Sequence, residues 1–324
     1  MLLDIVWLVV GLVLILVGAN ALTDGASDVA KRMGISELVI GLTVVAFGTS
    51  TPELVVSVMS ALNGNAPLAI GNVVGSNIFN ILVIIGITAM VRPVVVQKSV
   101  MSLEIPMMIL TSVIVFLLGN SGFLDGSGVN RVSRLSGIFL LIFFLLFLRY
   151  TFASAKQPDL SLGSSEPEPD RSLMPVWKSA VYILGGLAGL VWGGDRFVEG
   201  AAGIASSLGV SDAVIGLTIV AAGTSLPELA TSIVAAIKGR AGIVVGNVIG
   251  SNIFSVLAVL GISSIITPLP FGAITNFDLG TLLVASFLFY LFGWLFKERT
   301  ITRAEGAVMT AVYIGYVVIL IMQL

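Results

Sequence analysis

The sequence of 324 residues contains no cysteine and no histidine. Disulfides, thiolate ligands, imidazole bases and histidine-bound zinc are therefore excluded, and any chemistry must come from oxygen atoms. Charge is also scarce, because 16 basic and 18 acidic residues make up only 10% of the chain, against about 25% in a soluble domain. No basic cluster is long enough to follow a phosphate backbone, which excludes nucleic acid as a partner.

Apolar residues make up 57% of the chain, and its mean hydropathy is +1.09. At about 20 apolar residues per helical span, the apolar runs between charges or turn residues fit ten crossings of a membrane. The sequence therefore predicts an all-α membrane protein with ten transmembrane helices. The predicted spans are residues 2–22, 38–62, 68–91, 105–118, 135–150, 176–193, 213–237, 242–266, 279–296 and 304–323.

Lysine and arginine predict the orientation, because they concentrate in cytoplasmic loops. With the N-terminus outside, all of the 16 basic residues fall inside except Arg131, Arg134 and Arg196. We therefore expect a protein of the plasma or inner membrane with both termini outside. The one long polar stretch, residues 153–175, is rich in proline, serine and acidic residues and is predicted to be a cytoplasmic linker.

The chain contains an internal repeat at an offset of 175 residues. Residues 41–54 align without a gap with residues 216–229, and residues 71–80 align with residues 246–255. The sequence thus predicts two five-helix repeats, residues 1–152 and 176–324. Because five is odd, the two halves must cross the membrane in opposite directions, as in many secondary transporters.

The duplicated motif places a proline and a glutamate inside a span in each half. Pro52 and Pro227 lack the N–H that would bond the carbonyl four residues earlier, so each helix is expected to break there. A break at membrane depth is tolerated where it lines a wet cavity or is buried in protein, and its free carbonyls can bind ions. Glu53 and Glu228 follow directly. Neighbouring hydroxyls come from Thr49, Ser50, Thr224 and Ser225.

A carboxylate near the bilayer centre needs a partner, and no lysine or arginine lies in these spans. The third and eighth spans add more oxygen donors: Asn72, Ser76, Asn77, Asn80, Asn247, Ser251, Asn252 and Ser255. A donor set made only of oxygen suits Ca²⁺, which takes six to eight such ligands. Two glutamates supply two negative charges, which one Ca²⁺ balances and which Na⁺ ions can balance in its place. The sequence predicts a central site for which these cations compete.

The repeated Gly-Thr-Ser-x-Pro-Glu and Gly-Asn-x-x-Gly-Ser-Asn-Ile blocks resemble the two alpha repeats of the cation/calcium exchanger superfamily, nearest its prokaryotic Na⁺/Ca²⁺ exchangers. The resemblance covers essentially the whole chain. It implies an antiporter of Na⁺ and Ca²⁺ without a cofactor, and it implies backbone carbonyl ligands near Ala46 and Ala221. The side-chain ligands that it implies are Glu53, Glu228, Thr49, Ser50, Ser76, Asn80, Thr224, Ser225 and Ser251.

Ser255 departs from this pattern, since many relatives have Asp or Asn there. The site thereby loses a third carboxylate, which disfavours a K⁺-cotransporting mode, although we retain Ser255 among the predicted ligands. An H⁺/Ca²⁺ antiporter on the same fold is the alternative, because both glutamates can carry protons. A cation channel and an intramembrane hydrolase using Ser50 or a pair of glutamates agree less well with the sequence. The hydrolase would lack a base beside the serine, and no obligate protein partner can be inferred.

Overall fold

The computed structural model describes residues 2–126, 128–155, 173–208, 221–272, 274–295 and 299–323. Helices account for most of these residues, which agrees with the predicted all-α class. The helices are α1 Leu2–Met33, α2 Glu37–Thr49, α3 Thr51–Leu62, α4 Ala66–Val91, α5 Lys98–Gly119, α6 Ser121–Leu124, α7 Arg134–Ser154, α8 Val176–Ser207, α9 Ala221–Gly223, α10 Leu226–Ile237, α11 Ala241–Ile266, α12 Asn276–Leu295 and α13 Arg303–Gln323.

Eight of the described helices are long and apolar enough to cross a membrane, or nine when the bent pair α2 and α3 counts as one span. α10 is the second part of the predicted span 213–237, whose first part lies outside the described residues. Multiple apolar helices agree with an integral membrane protein. The count of ten remains a prediction.

The first and sixth predicted spans are too short, because α1 and α8 each run for 32 residues. In α1 the apolar run ends near Leu22, but the helix continues through Asp24. Lys238 Nζ lies 2.8 Å from Asp24 Oδ1, and an Arg240 guanidinium nitrogen lies 3.6 Å from it. A charge paired inside the protein does not need to end a helix, and hydropathy alone does not show such pairing.

α1 and α8 pack along their length through glycines that occupy equivalent positions in the repeat. A Cβ added to Gly18 would lie 2.7 Å from the Gly186 carbonyl oxygen, and one added to Gly193 would lie 3.0 Å from the Gly11 carbonyl oxygen. Contacts therefore run in opposite directions along the two helices, which makes the pair antiparallel. Small residues at such a crossing let two backbones approach closely.

α4 and α11 form the centre of the molecule. The most apolar 18-residue stretch of α11 is completely buried, and 83% of the corresponding stretch of α4 is buried. In α1 the buried share of that stretch is only 22%. Each of these two central helices contains a π-helical segment, Asn80–Ile84 in α4 and Ser255–Leu260 in α11. A widened turn of this kind is frequent at functional sites. These two segments begin at equivalent positions of the repeat.

Two short antiparallel ribbons join loops of the first half to loops of the second. The strands are β1 Val94–Val95, β2 Arg131–Val132, β3 Leu269–Pro270 and β4 Thr300–Ile301, with β1 paired to β4 and β2 to β3. They lie at the ends of the helices and satisfy backbone groups that leave the helical hydrogen-bonding pattern. The ribbons were not predicted, because two-residue strands carry no periodic signal.

Candidate cation site

The helix breaks position the two glutamates. α2 ends and α3 begins around Ser50, and the two helices are bent by 47°. The helix is interrupted two residues before Pro52, which lies in the first turn of α3. Backbone N–H groups in a first turn have no partner within the helix, so the missing N–H of proline costs no hydrogen bond there. Ser225 has nearly the same backbone angles at the start of α10. Glu53 and Glu228 therefore both lie in the first turn of a helix.

Both glutamates are buried, with exposed fractions of 1% for Glu53 and 0% for Glu228. The Ser50 hydroxyl donates to Glu228 Oε1 at 2.8 Å, and the Ser225 hydroxyl donates to Glu53 Oε1 at 3.3 Å. Each half thus supplies a hydroxyl to the glutamate of the other half. The crossed bonds bring together the two motifs, which lie 175 residues apart in the chain.

The second oxygen of each carboxylate, Oε2 of Glu53 and of Glu228, is buried and has no hydrogen-bond partner among the described residues. Within the same part of the chain, no lysine or arginine forms a salt bridge with either glutamate. A buried carboxylate without a donor or a counter-charge is costly. A bound cation would satisfy both oxygens.

Other predicted ligands supply neutral oxygen atoms that are buried in the protein. Ser251 lies against the site, with its hydroxyl oxygen 2.9 Å from that of Ser50, whose proton goes to Glu228. Ser76 is 6% exposed and donates to the Val73 carbonyl. Asn80 Oδ1 and Ser255 Oγ are buried without a hydrogen-bond partner among the described residues, and each belongs to the first residue of a π-helical segment. These atoms are available as acceptors for a cation.

The threonines of the two motifs differ in their contacts. Thr49 is fully buried, and its hydroxyl lies within hydrogen-bonding distance of the Ala46 carbonyl at 3.3 Å and of Asn247 Oδ1 at 3.2 Å. The hydroxyl oxygen of Thr224 is also buried, but it has no hydrogen-bond partner within the described ranges. The Ala46 carbonyl also accepts from the Ser50 backbone N–H at 3.0 Å. Ala221 begins α9, directly after residues 209–220, which lie outside the described residues.

Asn72 and Asn247 have a different contact from the one that the sequence suggested. Both were predicted as oxygen donors, but each amide nitrogen donates to the backbone carbonyl of a site glutamate, Asn72 to Glu53 at 3.2 Å and Asn247 to Glu228 at 3.3 Å. The same nitrogens donate to Ser57 at 3.0 Å and to Ser232 at 3.1 Å. These serines were not predicted. Their signal was present, because each follows its glutamate by four residues and so lies on the same helix face.

Two further asparagines bridge the central helices. Asn77 Nδ2 donates to the Asn252 carbonyl at 3.3 Å, and Asn80 Nδ2 donates to Asn252 Oδ1 at 3.2 Å. The Asn252 amide in turn reaches the Met108 sulfur of α5 at 3.5 Å. Met108 was not predicted, since an apolar residue in a span gives no sign of such a contact.

The site rests on two carboxylates. Within the described ranges, no group of three or more histidine, cysteine, aspartate or glutamate side chains lies together. Two charges with a shell of hydroxyl, amide and carbonyl oxygens suit hard cations such as Ca²⁺ and Na⁺. The contacts of Ser50 do not favour nucleophilic chemistry, because its hydroxyl contacts a carboxylate and another serine and, among the described residues, forms no hydrogen bond with an amine.

Comparison with known proteins identifies the family. Residues 3–153 and 178–322 match the family described as sodium/calcium exchanger protein. The chain belongs to this family. The resemblance noted in the sequence is therefore confirmed. The exchanger family is one of transporters, which agrees with the interpretation that the protein is not an enzyme.

Individual relatives match over nearly their whole length. The chain is 38% identical to the putative antiporter CaxA of Alkalimonas amylolytica, over 98% of both chains. It is 33% identical to the sodium/calcium exchanger MaX1 of Methanosarcina acetivorans, over 97% of both. Among solved structures it resembles the sodium-calcium exchanger NCX_Mj with a TM-score of 0.83 and 34% identity, covering 98% of this chain and 99% of that one. The fold is therefore that of a family exchanger.

Proposed function

We propose that this protein is a secondary active antiporter that exchanges Na⁺ for Ca²⁺ by alternating access. The observation that carries the proposal is the pair of buried glutamates, each bound by a serine of the opposite half and each with one oxygen unpartnered among the described residues. The names of the exchanger relatives and of NCX_Mj support the same ions. Transport requires no resident cofactor in this proposal.

The proposed ligands are the residues predicted from the sequence. The two negative charges of the glutamates determine how many cations neutralise the site. One Ca²⁺ neutralises both glutamates, while Na⁺ must bind more than once to do so. Because both cations need the same carboxylates, each excludes the other, and this competition is the basis of exchange. The ligand set is Glu53, Glu228, Thr49, Ser50, Ser76, Asn80, Thr224, Ser225, Ser251, Ser255 and the carbonyls of Ala46 and Ala221.

We propose further that the fold consists of two inverted five-helix repeats, residues 1–152 and 176–324, joined by a cytoplasmic linker over residues 153–175. The antiparallel contact of α1 with α8 through equivalent glycines supports the inversion. Ten spans with the N-terminus outside also place the C-terminus outside. This arrangement allows the two halves to exchange conformations around a fixed site.

The proposal is tested by Ca²⁺ flux in proteoliposomes with an imposed Na⁺ gradient. The wild-type protein should accumulate ⁴⁵Ca²⁺ against its gradient, and Glu53→Gln and Glu228→Gln should each reduce this flux to near background, because the site then holds too little charge. Glu104→Gln is the matched control, since Glu104 of α5 is also a buried glutamate, at 3% exposed, but makes its described contact with Tyr150. Normal flux in both site variants would show that the site is wrongly assigned.

The same assay decides the driving ion. Na⁺, K⁺ and pH are varied separately, and flux driven by a pH gradient in Na⁺-free buffer would establish the H⁺/Ca²⁺ alternative. The observation behind this alternative is that both glutamates can bind a proton where they can bind a cation. Flux that depends on Na⁺ and is unaffected by K⁺ supports the proposed function and agrees with serine at position 255.

A further inference from the structure

Asn72 and Asn247 have amide groups whose orientation is fixed by their contacts. A backbone carbonyl has no hydrogen to donate, so the group that faces the Glu53 and Glu228 carbonyls must be the NH₂. The amide oxygen of each asparagine is then left for another partner. In both halves, the asparagine therefore holds its own half's glutamate helix through nitrogen and keeps Oδ1 for a separate contact.

For Asn247 that contact comes from the opposite half. The Thr49 hydroxyl, which belongs to the first motif, lies 3.2 Å from Asn247 Oδ1. Thr49 is fully buried, and Asn247 is fully buried as well, so water does not compete for this bond. The bond connects the end of α2 to the first third of α11.

The symmetric counterpart of this bond is not formed. The equivalent residues are Thr224 and Asn72, and the structure has no hydrogen bond between them, although both are described. The Thr224 hydroxyl oxygen is buried without a hydrogen-bond partner in the described part of the chain. Asn72 is only part-buried, whereas Asn247 is fully buried. The two halves thus share the asparagine–glutamate contacts but differ in the threonine–asparagine contact.

We propose that Asn72 and Asn247 are positioning residues whose bonds to threonine alternate during transport. In the conformation seen here, Thr49 binds Asn247. In the conformation related to it by exchange of the two halves, Thr224 binds Asn72 and the Thr49–Asn247 bond is broken. This inference rests on the proposed function, because inverted repeats that exchange conformations exchange their contacts as well.

The experiment measures apparent Ca²⁺ affinity separately at the two membrane faces, in right-side-out and inside-out vesicles. The apparent affinity at a face depends on the population of the conformation open to that face. Asn247→Ser destabilises the conformation seen here, and Asn72→Ser destabilises the other. We expect the ratio of the two affinities to shift by about 3- to 10-fold, in opposite directions for the two variants. The double variant should return the ratio towards the wild-type value.

Ser57→Ala and Ser232→Ala are the matched controls. Each removes the second acceptor of an asparagine amide and leaves the threonine–asparagine pair intact, so the ratio should stay unchanged. Thr49→Val and Thr224→Val provide a second pair of variants that removes the donor of each alternating bond. They should lower affinity at both faces but shift the ratio in opposite directions.

Ratios that move in the same direction in both asparagine variants, or that do not move, would overturn the proposal, because a purely structural role affects both faces alike. Failure of the proposed function gives a different result. In that case the wild-type protein itself shows no Na⁺-dependent Ca²⁺ flux at either face.

Discussion

Ser50 and Ser225 occupy equivalent positions but make unequal contacts. Ser50 donates to Glu228 at 2.8 Å and also contacts Ser251, whereas Ser225 reaches Glu53 only at 3.3 Å. A hydrogen bond to a charged group contributes about 1.5–3 kcal/mol, and the shorter one contributes more. The site is therefore not symmetric at the level of single side chains, although the two motifs are nearly identical in sequence.

From this inequality we predict that Ser50→Ala weakens Ca²⁺ binding more than Ser225→Ala. The loss for Ser50→Ala is expected to be at least about 10-fold, since the bond that it removes is the shorter and stronger one. Isothermal titration of the purified variants measures both affinities. Equal losses would indicate that the two serines contribute equally once an ion is bound.

Acid is expected to weaken Ca²⁺ binding. A carboxylate must be deprotonated to bind a cation, so binding releases protons and becomes less favourable as pH falls. Titrations from mildly alkaline to mildly acidic pH should show a steady fall in apparent affinity. Glu104→Gln should keep the same pH dependence, because Glu104 is buried outside the site. An affinity that stays flat over this range would contradict the requirement for two ionised glutamates.

At the scale of elements, the antiparallel helices α1 and α8 depend on glycine. Gly11, Gly18 and Gly25 of α1 recur every seven residues, and so do Gly186, Gly193 and Gly200 of α8. The structure gives this pattern its reason, because these positions face the partner helix at backbone distance. The spacing was visible in the sequence, but the partner of each glycine was not.

Gly186→Ala should destabilise the protein, because its added Cβ would lie 2.7 Å from the Leu22 backbone nitrogen and 2.8 Å from the Gly18 carbonyl oxygen. Forcing the helices apart is expected to lower the free energy of unfolding by about 1–3 kcal/mol. Thermal unfolding in detergent measures this loss as a lower Tm. Gly185→Ala is the control, since no described atom outside its own helix surroundings lies within 4 Å of its added Cβ. An unchanged Tm for Gly186→Ala would argue against the tight crossing.

At the scale of the whole molecule, the distribution of lysine and arginine predicts which face is cytoplasmic. The absence of cysteine makes single-cysteine labelling a direct test. Ser161→Cys in the linker should be protected from a membrane-impermeant maleimide in intact cells and labelled in inside-out vesicles. Phe123→Cys, in the short helix α6 between α5 and α7, should show the reverse, and Phe123 is 88% exposed. Labelling of Ser161→Cys in intact cells would show that the true topology is the inverse of the proposed one.

The internal repeat of the sequence indicated the residues of the candidate site, whose role as ligands stays a prediction. Glu53, Glu228, Ser50 and Ser225 could be paired across the halves because their motifs align without a gap at one offset. The same offset did not show which serine reaches which glutamate. The crossed bonds depend on how the broken helices meet, and this is a property of packing between segments far apart in the chain.

The helix ends, too, could be predicted only in part from the sequence. Periodicity and composition predicted the apolar spans but missed the end of α1. Asp24 shows the reason, because an aspartate that forms an ion pair with a residue of another segment can remain inside a helix. The break at Ser50 came two residues before the proline that causes it. Proline is best tolerated in the first turn of a helix. The new helix therefore begins just before Pro52, and the interruption precedes the proline.

The sequence by itself determined that this is a membrane protein with an internal repeat, and it predicts that the chemistry uses oxygen ligands and two carboxylates. Those properties follow from composition and repetition, which need no knowledge of contacts. Only the tertiary structure decided that the amide nitrogens of Asn72 and Asn247 donate to backbone carbonyls, and that the Thr49 hydroxyl has a hydrogen-bond partner whereas that of Thr224 has none among the described residues. Two nearly identical motifs do not by themselves indicate such a difference, because it depends on how distant segments of the chain pack together.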